Sequence, residues 1–102
     1  MERNLSELTP FLDTAGRLIA LPAKNKKKLA AIWYLAQKIE PGKQYSEPEI
    51  NDLLDEWALF RDHATLRREL YNKRLLNRTA DCSRYWKSDS IPPLEEFIEN
   101  YI

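Results

Sequence analysis

The chain is 102 residues long, enough for one domain around a single core, and sixteen basic against sixteen acidic side chains leave a formal net charge of zero. That balance excludes a protein that coats nucleic acid by charge alone. Cys82 is the only cysteine, so no internal disulfide forms; the start lacks a signal peptide's apolar run and no stretch is apolar enough to span a bilayer, so a cytoplasmic protein without membrane association is expected.

In chain order, Leu5, Leu8, Phe11 and Leu12 recur at helical spacing and predict an N-terminal helix over about residues 4–15. It is either kinked at Pro10 or starts there with Thr9 as cap, and Gly16 ends it. Residues 17–21 are apolar and read as extended chain before Pro22. From Lys26 to Ile39 the stripe Leu29, Ile32, Trp33, Ala36 and Ile39 predicts the first core helix, stopped by Pro41-Gly42. Lys26-Lys27-Lys28 opens it against the helix dipole, where a counter-anion such as phosphate would relieve the charge.

Lys43-Gln44-Tyr45 reads as a short strand. Ser46-Glu47-Pro48-Glu49 is a capping box, with Tyr45 and Ile50 at the positions of a hydrophobic staple. The helix it opens buries Ile50, Leu53, Leu54 and Trp57, while its acidic residues keep the other faces solvated. Asn51 beside this stripe is expected to hydrogen-bond a loop carbonyl. Asp62 reads as the cap of a third helix of about three turns, with Leu66 and Leu70 on the buried face and Lys73 and Arg74 where the dipole favours cations. Two runs rich in β-formers, Leu75 to Thr79 and Ser83 to Lys87, flank Ala80-Asp81-Cys82 and predict a β-hairpin. Trp33, Trp57, Tyr85 and Trp86 read as core and wing-root packing. Pro92-Pro93 opens a last helix over about residues 92–102, with Leu94, Phe97, Ile98 and Tyr101 on one face. That face packs on the chain's own core or forms a homodimer, the arrangement that sets two recognition helices about one turn of DNA apart.

The whole is mostly α with a small β-hairpin, an α+β winged helix-turn-helix with a core over about residues 17–88 and extra helices at both ends. Charge follows the same division: residues 44–60 hold five acidic and no basic side chains, and residues 61–87 hold eight basic and three acidic ones. Only the third helix and the hairpin are thus suited to phosphates.

Leu21-Pro22-x-Lys24, Tyr45-Ser46-Glu47-x-Glu49-Ile50-Asn51, Asp62-x-x-Thr65-Leu66-Arg67-Arg68-Glu69-Leu70, Leu75-Leu76-x-Arg78 and Tyr85-Trp86 together resemble the bacterial domain-of-unknown-function family numbered 2087. The similarity covers about residues 10–88, and the paired arginines and the Tyr-Trp ending are its most specific marks. That family is winged-helix-like and also occurs attached to helix-turn-helix transcriptional regulators, so the resemblance implies a role in transcription. Two departures stand out: Cys82 occupies the place of a usual turn glycine, and Pro48 that of a usually polar residue.

The expected function is regulation of transcription through double-stranded DNA, the third helix in the major groove and the wing on the flanking backbone. Thr65, Arg67, Arg68, Lys73, Arg74, Arg78, Arg84 and Lys87 are the candidate DNA-binding residues. Arg67 and Arg68 point about 100° apart on a helix, so at least one is exposed, and the other is free to pair with Glu47 or Glu49. The rival expectation is a module that binds another transcriptional regulator and never touches DNA. One histidine and one cysteine do not make a zinc site, and no nucleophile elbow or phosphate-cradling glycine loop is present; no cofactor, metal or enzymatic activity is expected.

Overall fold

A computed structural model of the chain describes residues 7–101. Four helices and one hairpin make it up: α1 over Asn25–Ala36, α2 over Glu47–Trp57, α3 over His63–Asn72, β1 over Leu76–Arg78, β2 over Tyr85–Lys87 and α4 over Leu94–Tyr101. This is a mostly helical α+β chain, and its element order is consistent with a winged helix.

The capping box at the start of α2 forms as written, Ser46 N–H donating to Glu49 Oε1 at 2.8 Å and Glu49 N–H to Ser46 Oγ at 3.3 Å. The Ser46 amide foremost, with the Ser46 hydroxyl, holds the Glu49 carboxyl below its ordinary range. Tyr45 and Ile50, the two staple positions, are both buried. Immediately before the box, Tyr45 exchanges two backbone hydrogen bonds with Tyr85, at 2.7 and 2.8 Å, so the expected short strand exists as a single antiparallel bridge on the hairpin edge. Within the hairpin, Leu76 pairs with Lys87, Asn77 with Trp86 and Arg78 with Tyr85. Each strand is three residues long, shorter than the β-rich runs suggest.

Helix α1 buries Leu29, Ala30, Ala31, Ile32, Leu35 and Ala36, a wider band than one stripe, because it lies against both α3 and α4. Trp33 is half-exposed at the edge of that band and donates from its indole nitrogen to the Pro92 carbonyl at 3.0 Å. The cationic start of α1 meets a carboxylate of α3: Lys28 Nζ lies 3.6 Å from Glu69.

The ends of α3 differ from expectation at one side and extend it at the other. Asp62 makes no side-chain cap; instead Arg61 sits at φ 52°, and Asp55 of α2 holds the first residue of the helix through His63 Nδ1 at 3.0 Å. At the far end Arg74 adopts φ 63°, and the bonds Arg74 N–H to Tyr71 O and Leu75 N–H to Leu70 O close a Schellman motif, with Leu70 and Leu75 as its buried hydrophobic pair. An arginine thus stands where glycine is usual, and the chain turns there into β1.

The expected N-terminal helix is a single 3-10 turn, Thr9–Phe11, in its described part; Leu5 and residues 1–6 lie outside the described residues. What ends it is Asp13, whose carboxylate takes the amides of Ala15 and Arg17 and the Arg17 guanidinium at 2.8 Å, turning the chain at Gly16 with φ 80°. Leu18 then bridges Leu12 on one side and Ala58 on the other, so the extended reading of residues 17–21 holds at that one position.

Helix α4 is correctly read as amphipathic but was open as to its cover. Leu94, Phe97 and Ile98 are 0%, 1% and 2% exposed, packed against α1, and Tyr101 donates to the Lys73 carbonyl at 3.0 Å while its ring lies 5.2 Å from that of Phe97, tilted by 57°. The proposed dimer face of Leu94, Phe97, Ile98 and Tyr101 is therefore closed within the chain. The core cluster accordingly reaches from Leu8 to Ile98, past both limits of the expected core.

Candidate nucleic-acid interface

With Leu66 and Leu70 fixed inward, the 100° step of a helix turns Arg68 directly outward with Ala64 and Asn72 about 40° to either side, Tyr71 beyond Ala64, and Arg67 on that flank. The exposure follows that arithmetic: Ala64, Arg68, Tyr71 and Asn72 are exposed, and Arg67 is half-buried.

Arg67 is spent inside the fold. Its guanidinium lies 3.5 Å from Glu47, donates to Asn51 Oδ1 and sits over the Tyr85 ring at 5.8 Å. It thus fastens α3 to α2 and to the root of the hairpin, and Asn51 bonds this arginine, not the loop carbonyl expected of it. Tyr85 reaches Glu47 through its hydroxyl at 3.3 Å; burial raises its phenol above the ordinary value despite the opposing charge of Arg67. Arg68 has no ion pair or hydrogen bond among the described residues, and neither does the Asn72 side chain.

Across from this face stands the hairpin. Arg78 lies over the Tyr71 ring, its guanidinium carbon 4.4 Å from the centroid, and donates to the Thr79 carbonyl at 3.2 Å and to Cys82 Sγ at 3.1 Å. A groove of about 290 Å³ runs between α3 and the hairpin, with Arg67, Arg68, Tyr71, Asn72 and Arg78 among its walls and Glu47 at its floor. Since Arg67 answers Glu47, Arg68 and Arg78 leave the groove positive. The hairpin tip carries an acid, Asp81, whose carboxylate accepts from Ser83 and Thr79; those bonds lower it to about 2 and keep it ionised. Cys82, in the place of a turn glycine, takes the left-handed φ of 62° that favours glycine.

Of the eight predicted DNA ligands, Arg67, Arg68 and Arg78 share this groove. Arg84 is exposed on the hairpin, and Arg74 is exposed at the C-terminal end of α3, beside Asn72 and Asn77. Thr65 is half-buried on the flank of α3. Lys73 pairs with Glu69 at 3.1 Å, lies over the Tyr101 ring and lines a different groove, with Ile91 and Pro92. Lys73 and Lys28 together draw the Glu69 carboxyl below its ordinary range, against the burial that would raise it. Lys87 lines a different groove, with Trp33, Gln37 and Pro92, and does not join α3. Ala64, Tyr71 and Asn72 carry no charge, so charge patterning does not single them out; helix phase, counted from Leu66 and Leu70, points to them.

A family model described as "Uncharacterized protein conserved in bacteria (DUF2087)" matches residues 17–87. The chain belongs to the DUF2087 family. The match begins after the 3-10 turn and ends at the last residue of β2, so α4, which closes the core, lies beyond the DUF2087 segment. No curated protein and no solved structure matches this DUF2087 chain. No helix among its described residues is long and apolar enough to cross a membrane.

Proposed function

We propose that this DUF2087 protein is a DNA-binding protein of bacterial transcription control, a binding protein and not an enzyme, with α3 in the major groove and the hairpin beside the flanking backbone. The observation that carries this reading is the pairing pattern on α3. The one acid that lines the groove, Glu47, is paired with Arg67, while Arg68 stands exposed and unpaired next to Arg78. A positive, water-facing groove on one side of a neutral protein is what a phosphate backbone selects.

Anisotropy of labelled genomic duplexes at about 50 and about 200 mM salt tests it. About three phosphate contacts predict a loss of about 40-fold between the two conditions. Absence of binding at the lower salt overturns the reading.

A second reading, a module that docks another regulator, is favoured by Ile19 and Leu59, 49% and 39% exposed on either side of the Leu18–Ala58 bridge. Stable association with a regulator that is lost in Ile19→Asp and kept in Arg68→Ala supports it.

A further inference from the structure

We propose, resting on the DNA-binding reading, that Arg68 and Asn72 determine sequence specificity, Arg68 reading a guanine and Asn72 an adenine two base pairs away. The inference comes from which side chains of α3 have nothing to do inside the fold. His63 is held by Asp55, Arg67 by Glu47 and Asn51, and Glu69 by Lys28 and Lys73. Arg68 and Asn72, both exposed, have no such partner among the described residues, so their donors and acceptors are free to meet a ligand without first breaking a bond.

Their chemistry and spacing fit base edges. Guanidinium matches the O6 and N7 acceptors of guanine, and a carboxamide, with one donor and one acceptor, matches N6 and N7 of adenine. Residues four apart on a helix are separated by about 6 Å along the axis and by about 40° around it, and two base steps span about 6.8 Å. Arg68 and Asn72 therefore address alternate base pairs from one side of the helix. One turn earlier, Ala64 is exposed and small, so it lets the helix approach the groove floor ahead of Arg68. On the other side Arg78, held over Tyr71 by its bonds to Thr79 and Cys82, supplies a positioned backbone ligand that carries no sequence information.

Selection from a random duplex pool, run with the wild-type chain, Arg68→Lys, Arg68→Ala and Asn72→Ala, tests this. The wild type is expected to enrich a guanine and an adenine separated by one base pair. Arg68→Ala removes the contact, so the guanine preference should fall by about 5- to 150-fold, whereas Arg68→Lys, which keeps the charge without the rigid fork, should hold bulk affinity and retain only part of that preference. Asn72→Ala should relax the adenine alone. If the wild type enriches a motif that Arg68→Ala and Asn72→Ala leave intact, the assignment is overturned while DNA binding stands. If no duplex is retained by any variant, the DNA-binding reading itself fails and takes the assignment with it. Circular dichroism of each variant reports whether the fold is kept, as exposure of both side chains leads one to expect.

Discussion

Arg67 and Arg68 are neighbours in sequence with opposite fates, and their substitutions separate structure from binding. Removing Arg67 strands Glu47 and Asn51 in a half-buried site, so Arg67→Ala is expected to cost about 1–3 kcal/mol in urea denaturation. Arg68→Ala, at an exposed position with no partner, should stay within about 0.5 kcal/mol and act on DNA alone. Cys82 tests backbone strain. Its φ of 62° predicts that Cys82→Gly changes stability by less than about 1 kcal/mol, whereas the β-branched Cys82→Val costs about 1–3 kcal/mol. Asp81 sets the acid limit of the hairpin tip. Its carboxyl is lowered from the ordinary 3.8 to about 2 in the fold, so its contribution is fully present above 3.8 and is lost as pH falls toward about 2. Amide NMR signals of Ser83 and Arg84, which donate to Asp81 and Thr79, should move together in that window and hold steady above it.

At the level of elements, α4 acts as a lid on α1, and its apolar face is interior. Phe97→Ala should therefore destabilise by about 3–5 kcal/mol without changing the oligomeric state, as read by denaturation and by sedimentation. Ser46→Ala, which breaks the capping box, should cost about 1 kcal/mol. The capping box was legible because all its partners lie within four residues, and so were the buried stripes of α2, α3 and α4, which depend on helical phase. What covers a stripe is a tertiary fact: the α4 sequence is equally consistent with a second copy, and only the packing of Phe97 and Ile98 on α1 decides. The N-terminal helix is limited to the turn at Thr9–Phe11 in its described part for a local reason. Asp13 offers its carboxylate to two amides and the Arg17 guanidinium, a competing network that spacing among leucines does not reveal. Asp62 failed as a cap because the turn at Arg61 gives it φ −116° and ψ 56°, while His63 is held by Asp55.

Across the whole molecule, zero net charge conceals a division of labour. Lys28 and Lys73 converge on Glu69 to tie α1 to α3, and Arg67 ties α3 to the acidic α2, so these cations are structural. The cations left facing solvent on α3 and the hairpin, Arg68, Arg74 and Arg84, are few. A modest salt slope is expected, since only contacts actually made to phosphates release counterions. The sequence marks the basic segment correctly, but counting charges does not tell a cation that holds the fold from one that is free; that distinction needs the partners.

The most direct measurement is backbone NMR of the isotope-labelled chain during titration with a duplex selected by the wild-type protein. Shifts concentrated at Ala64, Arg68, Tyr71 and Asn72 and extending to Arg78 and Arg84 are the predicted result, with the Phe97 and Ile98 amides unmoved. Shifts confined to the Ile19 and Leu59 surface, or none at any residue of α3, would contradict the assignment of α3 and the hairpin as the DNA-binding face.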